Sequence, residues 1–258
     1  MLAPPKYQNN LATGFLYLSE GIRLIWHPKL RAFILIPLLV NLALFIVLTS
    51  VIFSYFDWAI EGVMNFLPTW LAPLAWLTVV VVGMIFLVIY GYSFNLITNI
   101  IAAPFYGILA QKTEELLSGQ SPPDESLFKM VPRVILREIK KLIYFLARGF
   151  VVLLIMLFVA TIPVLNVLAP AIGLAWAAWT MAIQYSDYAA DNHQKDFKEL
   201  RFCLWQKKFS SLGFGGFLML CSVVPVVNIF IMPAAVTGGT SFWLKELSAC
   251  NTTGCRIN

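Results

Sequence analysis

The chain has 258 residues, of which 60% are hydrophobic and 12% charged, with a mean hydropathy of +0.80. Soluble domains carry about 25% charged residues, so composition excludes an ordinary soluble fold and points to a polytopic membrane protein built as a single bundle. The net charge of +5 does not indicate nucleic acid, because the basic residues cluster in short segments beside apolar runs, where orientation-setting charges belong.

Residues 6–28 read as a lead-in with an interfacial helix. Leu11, Phe15, Leu18, Ile22 and Ile25 recur at helical spacing, with Glu20 and Arg23 off that stripe. The segment lacks the apolar core and small-residue cleavage site of a leader. Residues 29–56 are the first expected spanning helix. About 25 residues at ~1.5 Å each reach roughly 37 Å, more than a hydrocarbon core of about 30 Å. Asp57–Pro73 is expected as a loop and carries no Lys or Arg. Residues 71–118 are the second spanning helix, amphipathic towards its end and stopped by Gly119 and Pro122-Pro123.

Residues 126–148 form a basic amphipathic helix. Leu127, Val131, Ile135, Ile139, Leu142 and Leu146 make its apolar stripe, and Arg133, Arg137, Lys140 and Lys141 lie on another face. Two readings stay open: a helix lying on an anionic membrane surface, or a basic wall that gathers anions.

Residues 149–186 and 209–244 are nearly uncharged and flank the hydrophilic segment Asp187–Lys208. Each is broken in the same way, by "TIPVLNVLAP" (Thr161–Pro170) and "VVPVVNIFIMP" (Val223–Pro233). Proline stops a helix by lacking an N–H and blocking the previous turn. The asparagines, Asn166 and Asn228, are expected to supply side-chain amides for the freed backbone groups. In the first unit the arms hold roughly 13 to 16 residues, about 20 to 24 Å, which is short of a full span, and the second unit reads the same way. Both units are therefore expected as re-entrant hairpins, a pattern that also points to a substrate site. The alternative is two ordinary tight hairpins with Pro/Asn-rich loops.

The positive-inside rule places every basic segment, and both termini, in the cytoplasm. The expected fold is an all-α integral membrane protein. It has two long transmembrane helices, two re-entrant (hemi-penetrating) helical hairpins, and amphipathic interfacial or cytoplasmic helices.

No catalytic set, cofactor motif or metal cluster stands out, so an enzyme is not expected. Asp187, Asp191 and His193 lack a spaced ligand partner and are read as caps after the first hairpin. Gly238-Gly239 is not followed by the Gly-Lys-Ser/Thr of a phosphate loop. The four cysteines are expected as reduced thiols, with Cys221 buried and Cys203, Cys250 and Cys255 accessible.

Four segments resemble the CysZ family of bacterial sulfate permeases: "IAAPFYGILA" (Ile101–Ala110), "VPRVILRE" (Val131–Glu138), "AIQYSDYAADNH" (Ala182–His193) and "FIMPAAVTGGT" (Phe230–Thr240). Their order and spacing are similar from about Gly14 to Glu246. The resemblance implies an inner-membrane homo-oligomer that supplies sulfate for cysteine biosynthesis. It also implies a sulfate site at Pro28, Lys29, Leu30, Arg31 and Ala32, where the family motif reads Pro-Gly-Leu/Ile-Arg-Arg. Arg31 keeps the first arginine; Lys29 replaces the glycine and Ala32 the second arginine.

Sulfate is a strongly hydrated divalent oxyanion, and a transporter must replace its water with N–H and O–H donors. A helix N-terminus supplies free N–H groups and partial positive charge. Arg31 adds a planar fork of donors and Lys29 a point charge; the bland alternative is that both only anchor the helix at the headgroups. Arg133, Arg137, Lys140, Asn166 and Asn228 are candidates for lining an anion path. The leading expectation is a sulfate permease that does not hydrolyse ATP, and the alternative is a non-transporting membrane adaptor that docks sulfate-assimilation enzymes.

Overall fold

Helices dominate the chain because apolar runs in a bilayer must satisfy their own backbone hydrogen bonds. The computed structural model describes residues 8–66, 75–123 and 125–250, some residues inside helices by their backbone alone. Among them no strand occurs. The helices are α1 (Leu11–Leu24), α2 (Pro28–Phe66), α3 (Ala75–Ser118), α4 (Leu127–Ala160), α5 (Leu168–Asn192), α6 (Phe197–Gln206), α7 (Lys208–Ser222) and α8 (Pro225–Phe242). Among the described residues three stretches are long and apolar enough to cross a membrane: Leu42–Gly62, Phe128–Ala160 and Leu165–Asn192. Val79–Phe94 is a shorter apolar run.

Several boundaries differ from the expected ones. The loop placed at Asp57–Pro73 is helical through Phe66, since α2 meets no proline between Pro37 and Pro68; residues 67–73 lie outside the described residues, as does Cys255. The basic helix expected over 126–148 and the hairpin arm expected from 149 are one helix, α4, of 34 residues. Gly149 weakens a helix but does not end one. Arg148 and the apolar arm therefore share one axis. α5 likewise continues past Ser186 to Asn192. With arms this long, helix length alone no longer argues for a re-entrant first hairpin.

The two breaks are also unlike each other. After α4 the chain turns through Thr161–Val164 and a 3-10 turn, Leu165–Val167, with Val164 at φ 72°. The second break is only Val223–Val224, and α8 starts on Pro225, a position whose N–H needs no intrahelical partner. Asn228 therefore lies in the first turn of α8. The expected asparagine caps are not seen: Asn166 and Asn228 bond through their backbone N–H, to Ile162 O at 3.1 Å and Val224 O at 2.8 Å. Elsewhere the termini follow sequence. Asn10 Oδ1 accepts from Thr13 N–H at 2.8 Å to cap α1, and Gly119, at φ +69°, ends α3.

Two compact units divide the chain: residues 37–102, and residues 1–36 together with 103–258. In the first, α2 and α3 meet through aromatic edges, with Phe56 and Phe86 5.6 Å apart and Phe45 and Phe94 6.2 Å apart. Thr49 Oγ1 and Tyr90 OH share a hydrogen bond of 3.0 Å. Phe53, Leu87 and Tyr92 point outwards, which suits a lipid solvent and not water.

In the second unit α1 packs on α7 and α8, and α5 packs on α4, α7 and α8. Glycines make these contacts close. A Cβ on Gly215 of α7 would sit 1.8 Å from the Ala178 carbonyl oxygen, and one on Gly239 of α8 would sit 2.5 Å from that of Tyr185. Gly238 faces the Tyr17 backbone of α1, so the glycine pair lets α8 wedge between α1 and α5. Small residues at helix contacts are how apolar helices gain packing when lipid competes for every apolar surface.

Candidate functional site

Pro28 opens α2, and the turn before it folds back on itself. His27 O accepts from Leu30 N–H at 2.9 Å, and His27 Nδ1 accepts from Lys29 N–H at 3.4 Å. The Leu30 side chain is wholly buried and pins the turn, while Lys29 and Arg31 on either side are exposed. Arg31 donates from Nε to the Trp26 carbonyl at 3.0 Å. That bond orients the guanidinium, and among the described residues no hydrogen bond to its two terminal nitrogens and no direct salt bridge to Lys29 or Arg31 occurs, although Glu115 of α3 interacts with the Lys29 charge at longer range. The Ala32 side chain lies outside the described residues.

The basic face of α4 has the opposite character. Arg137 donates to both carboxylate oxygens of Asp187, with Nε–O distances of 3.0 Å and an Nη2–Oδ1 distance of 2.6 Å. Its Nη1 bonds the Lys195 carbonyl at 2.6 Å and lies 3.1 Å from Asp191 Oδ1. Lys141, fully buried, lies 2.5 Å from Glu138 Oε1 and 3.1 Å from Asp187 Oδ2, over the face of the Tyr188 ring. Arg133 is held by Glu125, at 2.7 Å, and by Asp191. These charges point into the protein, whereas Ile139 and Leu146 of the expected apolar stripe point out. The helix is amphipathic as expected, but inverted. In lipid the charged face must find partners inside, and the apolar face is left to the hydrocarbon.

Asp187 and Asp191 are thus ion-pair partners and not caps. The signal was present in the sequence as two complementary ladders at helical spacing: Arg133, Arg137 and Lys141 on one helix, Asp187 and Asp191 on the other. His193 bonds Glu114 of α3 at 2.9 Å and Asn192 donates to the Gly107 carbonyl at 2.8 Å, so the end of α5 is fastened to the end of α3.

Of the path candidates, Lys140 alone among the three basic residues has no carboxylate partner among the described residues. It lines a cavity of about 220 Å³ with Arg133, Arg137, Asp191, Lys195 and Asp196, so four basic groups share it with two acidic ones. Asn166 is exposed at the first break. Asn228 Oδ1 is buried without a hydrogen-bond partner among the described residues. The structure does not bring Asn166 or Asn228 into that cavity. Among the described residues no group of His, Cys, Asp and Glu has the form of a metal site.

The cysteine expectation is corrected. Cys203 is buried, its thiol donating to the Cys250 carbonyl at 3.5 Å, and Cys221 is only half-buried. Burial pushes the Cys203 thiol well above its ordinary pKa, and the neighbouring Cys250 pushes in the same direction.

The model of the family described as Sulfate transporter CysZ/Etoposide-induced protein 2.4 matches residues 17–233. A protein named sulfate transporter CysZ from Pseudomonas fluorescens is 41% identical over 249 residues, covering 93% of this chain and 96% of that one. Proteins of the same name from Pseudomonas paraeruginosa and Pseudomonas aeruginosa are each 40% identical over 238 residues, covering 91% of this chain and 95% of theirs.

Proposed function

Since the chain belongs to the sulfate transporter CysZ family, we propose that it carries sulfate across the bacterial inner membrane to supply cysteine biosynthesis, without hydrolysing ATP. The names of its relatives describe transporters, and the adaptor alternative has no support. Sulfate is the cargo, not a reactant, so the protein works by exchanging water for donors along a path.

The observation that carries the site assignment is the contrast between two sets of cations. Arg133, Arg137 and Lys141 are committed to carboxylates. Arg31 keeps the outer half of its fork free, beside Lys29 and the positive end of α2, where the Lys29 and Leu30 N–H groups are already bonded to His27. A divalent oxyanion arriving there meets fixed donors and positive helix potential without displacing a carboxylate. Leu30 holds the turn from beneath. Lys140 and the cavity beside it are a second stop on the path, and Asn228 a third.

The hairpins are re-entrant in this reading. The ion-paired level of Arg137 and Asp187 ties α4 to α5, and Arg148 is exposed one helical stretch further along. Past Arg148 only residues 149–160 remain in α4, roughly 18 Å of helix against a core of about 30 Å. α7, at 15 residues, is short by the same measure. Residues 29–66 and 75–118 then provide the two full spans, the basic segments and both termini face the cytoplasm, and the protein works as a homo-oligomer.

The test is sulfate flux into liposomes that hold only the purified protein. Uptake above that of empty liposomes is expected, without nucleotide. No uptake by folded, correctly inserted protein would sink the transport reading.

A further inference from the structure

α6 presents two unlike faces. Leu200, Cys203 and Leu204 are buried on one side, and Phe197, Arg201 and Trp205 recur at four-residue spacing on the other. Arg201 lies flat over Tyr144 of α4, 4.3 Å from the ring centroid, and 4.9 Å from that of Phe197. Its Nε is buried and has no hydrogen-bond partner among the described residues. Trp205 is 61% exposed and meets the edge of Trp179 of α5 at 5.9 Å. Next in the chain, Lys208 sits over Trp205 and over the exposed Phe209. On α4, Lys140 and Arg148 stand one turn either side of Tyr144 and are exposed.

The cations around α6 and the middle of α4 differ from the inward-facing Arg133, Arg137 and Lys141. Those facing inwards are neutralised by carboxylates. Lys140, Arg148, Arg201 and Lys208 have no carboxylate partner among the described residues, and they stand among aromatic rings. Ring faces orient a guanidinium or ammonium without satisfying its N–H donors. Beyond Arg148, the exposed Phe150, Leu153 and Leu154 continue along α4 as an apolar track. Donors that lack an anion, exposed Trp and Phe at the same level, and an apolar track leading away match an amphiphile with an anionic head.

We infer that this surface is a binding site for an anionic phospholipid, its headgroup phosphate held by Arg201 with Arg148, and its acyl chain lying along α4 beyond Arg148. The site is separate from the α2 turn and does not depend on where sulfate binds. A free anion would leave the apolar track and the exposed rings without a role, so the lipid is the occupant.

The experiment is native mass spectrometry of the full chain in detergent, supplied with equimolar phosphatidylglycerol and phosphatidylcholine. The parent protein is expected to retain phosphatidylglycerol at least threefold over phosphatidylcholine. Arg201→Gln should bring that ratio towards one, Arg201→Lys should keep part of it, and Arg31→Gln should leave it unchanged. Equal retention of the two lipids by the parent protein overturns the site, whether or not the Arg201 variants fold. So does displacement of the retained lipid by millimolar inorganic phosphate or sulfate, which would make the surface a free-anion site. Sulfate binding by Arg201→Gln, measured by calorimetry, should match the parent; a loss there would assign Arg201 to the sulfate path instead.

Discussion

Arg137 of α4 grips Asp187 of α5 side-on, with Nε 3.0 Å from each carboxylate oxygen, across 50 positions of sequence. Both side chains are largely withdrawn from solvent, at 13% and 1% exposure. Removing one partner leaves the other buried and only partly compensated, Asp187 by Lys141 or Arg137 by Asp191, which places the cost towards the low end of about 3–5 kcal/mol. Arg137→Ala or Asp187→Ala should each lower the thermal midpoint in detergent by roughly 10 °C. Replacing both by Leu should recover much of that loss. Equal midpoints for the parent and the single variants would mean that the pair does not fasten α4 to α5.

Arg31→Ala should weaken sulfate binding by roughly a hundredfold, since it removes two charge-assisted hydrogen bonds. Arg31→Lys keeps the charge but not the fork and should fall between. Lys29→Ala should be milder, and its effect should fade first as salt is raised. Calorimetry with the purified protein checks all three. Parent-like binding by Arg31→Ala would move the site to the Lys140 cavity.

Gly215→Ala and Gly216→Ala make a matched pair. A Cβ at Gly215 would meet the Ala178 carbonyl oxygen at 1.8 Å, and backbone cannot yield by that much. At Gly216 the nearest atom is the Ala178 Cβ at 3.8 Å, an ordinary contact. The first variant should lose the α5–α7 packing and fail to yield monodisperse protein. The second should purify like the parent.

Cys203 should resist labelling where Cys250 does not. Its raised pKa keeps the thiol protonated through neutral pH, and only the thiolate reacts. In a Cys255→Ser background, a maleimide at pH 7 should modify Cys250 first, and Cys203 only after the protein is unfolded in SDS. Equal rates in the folded state would show that Cys203 is open to solvent.

Asn228→Leu distinguishes a path residue from a structural one. The buried Oδ1 has no hydrogen-bond partner among the described residues, so its loss should not lower the thermal midpoint. Sulfate flux into liposomes should fall. Normal flux from a stable variant would remove Asn228 from the path.

Much of the architecture was legible in the linear order of residues. Apolar runs must become helices in lipid, so the all-helical class and the break at Thr161–Val164 follow from composition and from proline placement. The start of α2 at Pro28 is equally local, because its hydrogen bonds reach back only to Trp26 and His27. Tertiary structure decided which way α4 faces. Its apolar stripe left open a helix resting on a surface or a basic wall, but Ile139 and Leu146 of the stripe point outwards and Arg133, Arg137 and Lys141 turn in. The reason is that their carboxylate partners, Asp187 and Asp191, sit about fifty residues away, and nothing local says that α5 returns antiparallel at matching height. Helix continuity was hidden for a related reason. Whether Gly149 interrupts a helix depends on what packs beside it, and here Trp176 lies against that glycine. Local chemistry sets where a helix can start and which residues it can bury in lipid; the partner supplied by a distant segment sets which face is buried and which cations stay free for an anion.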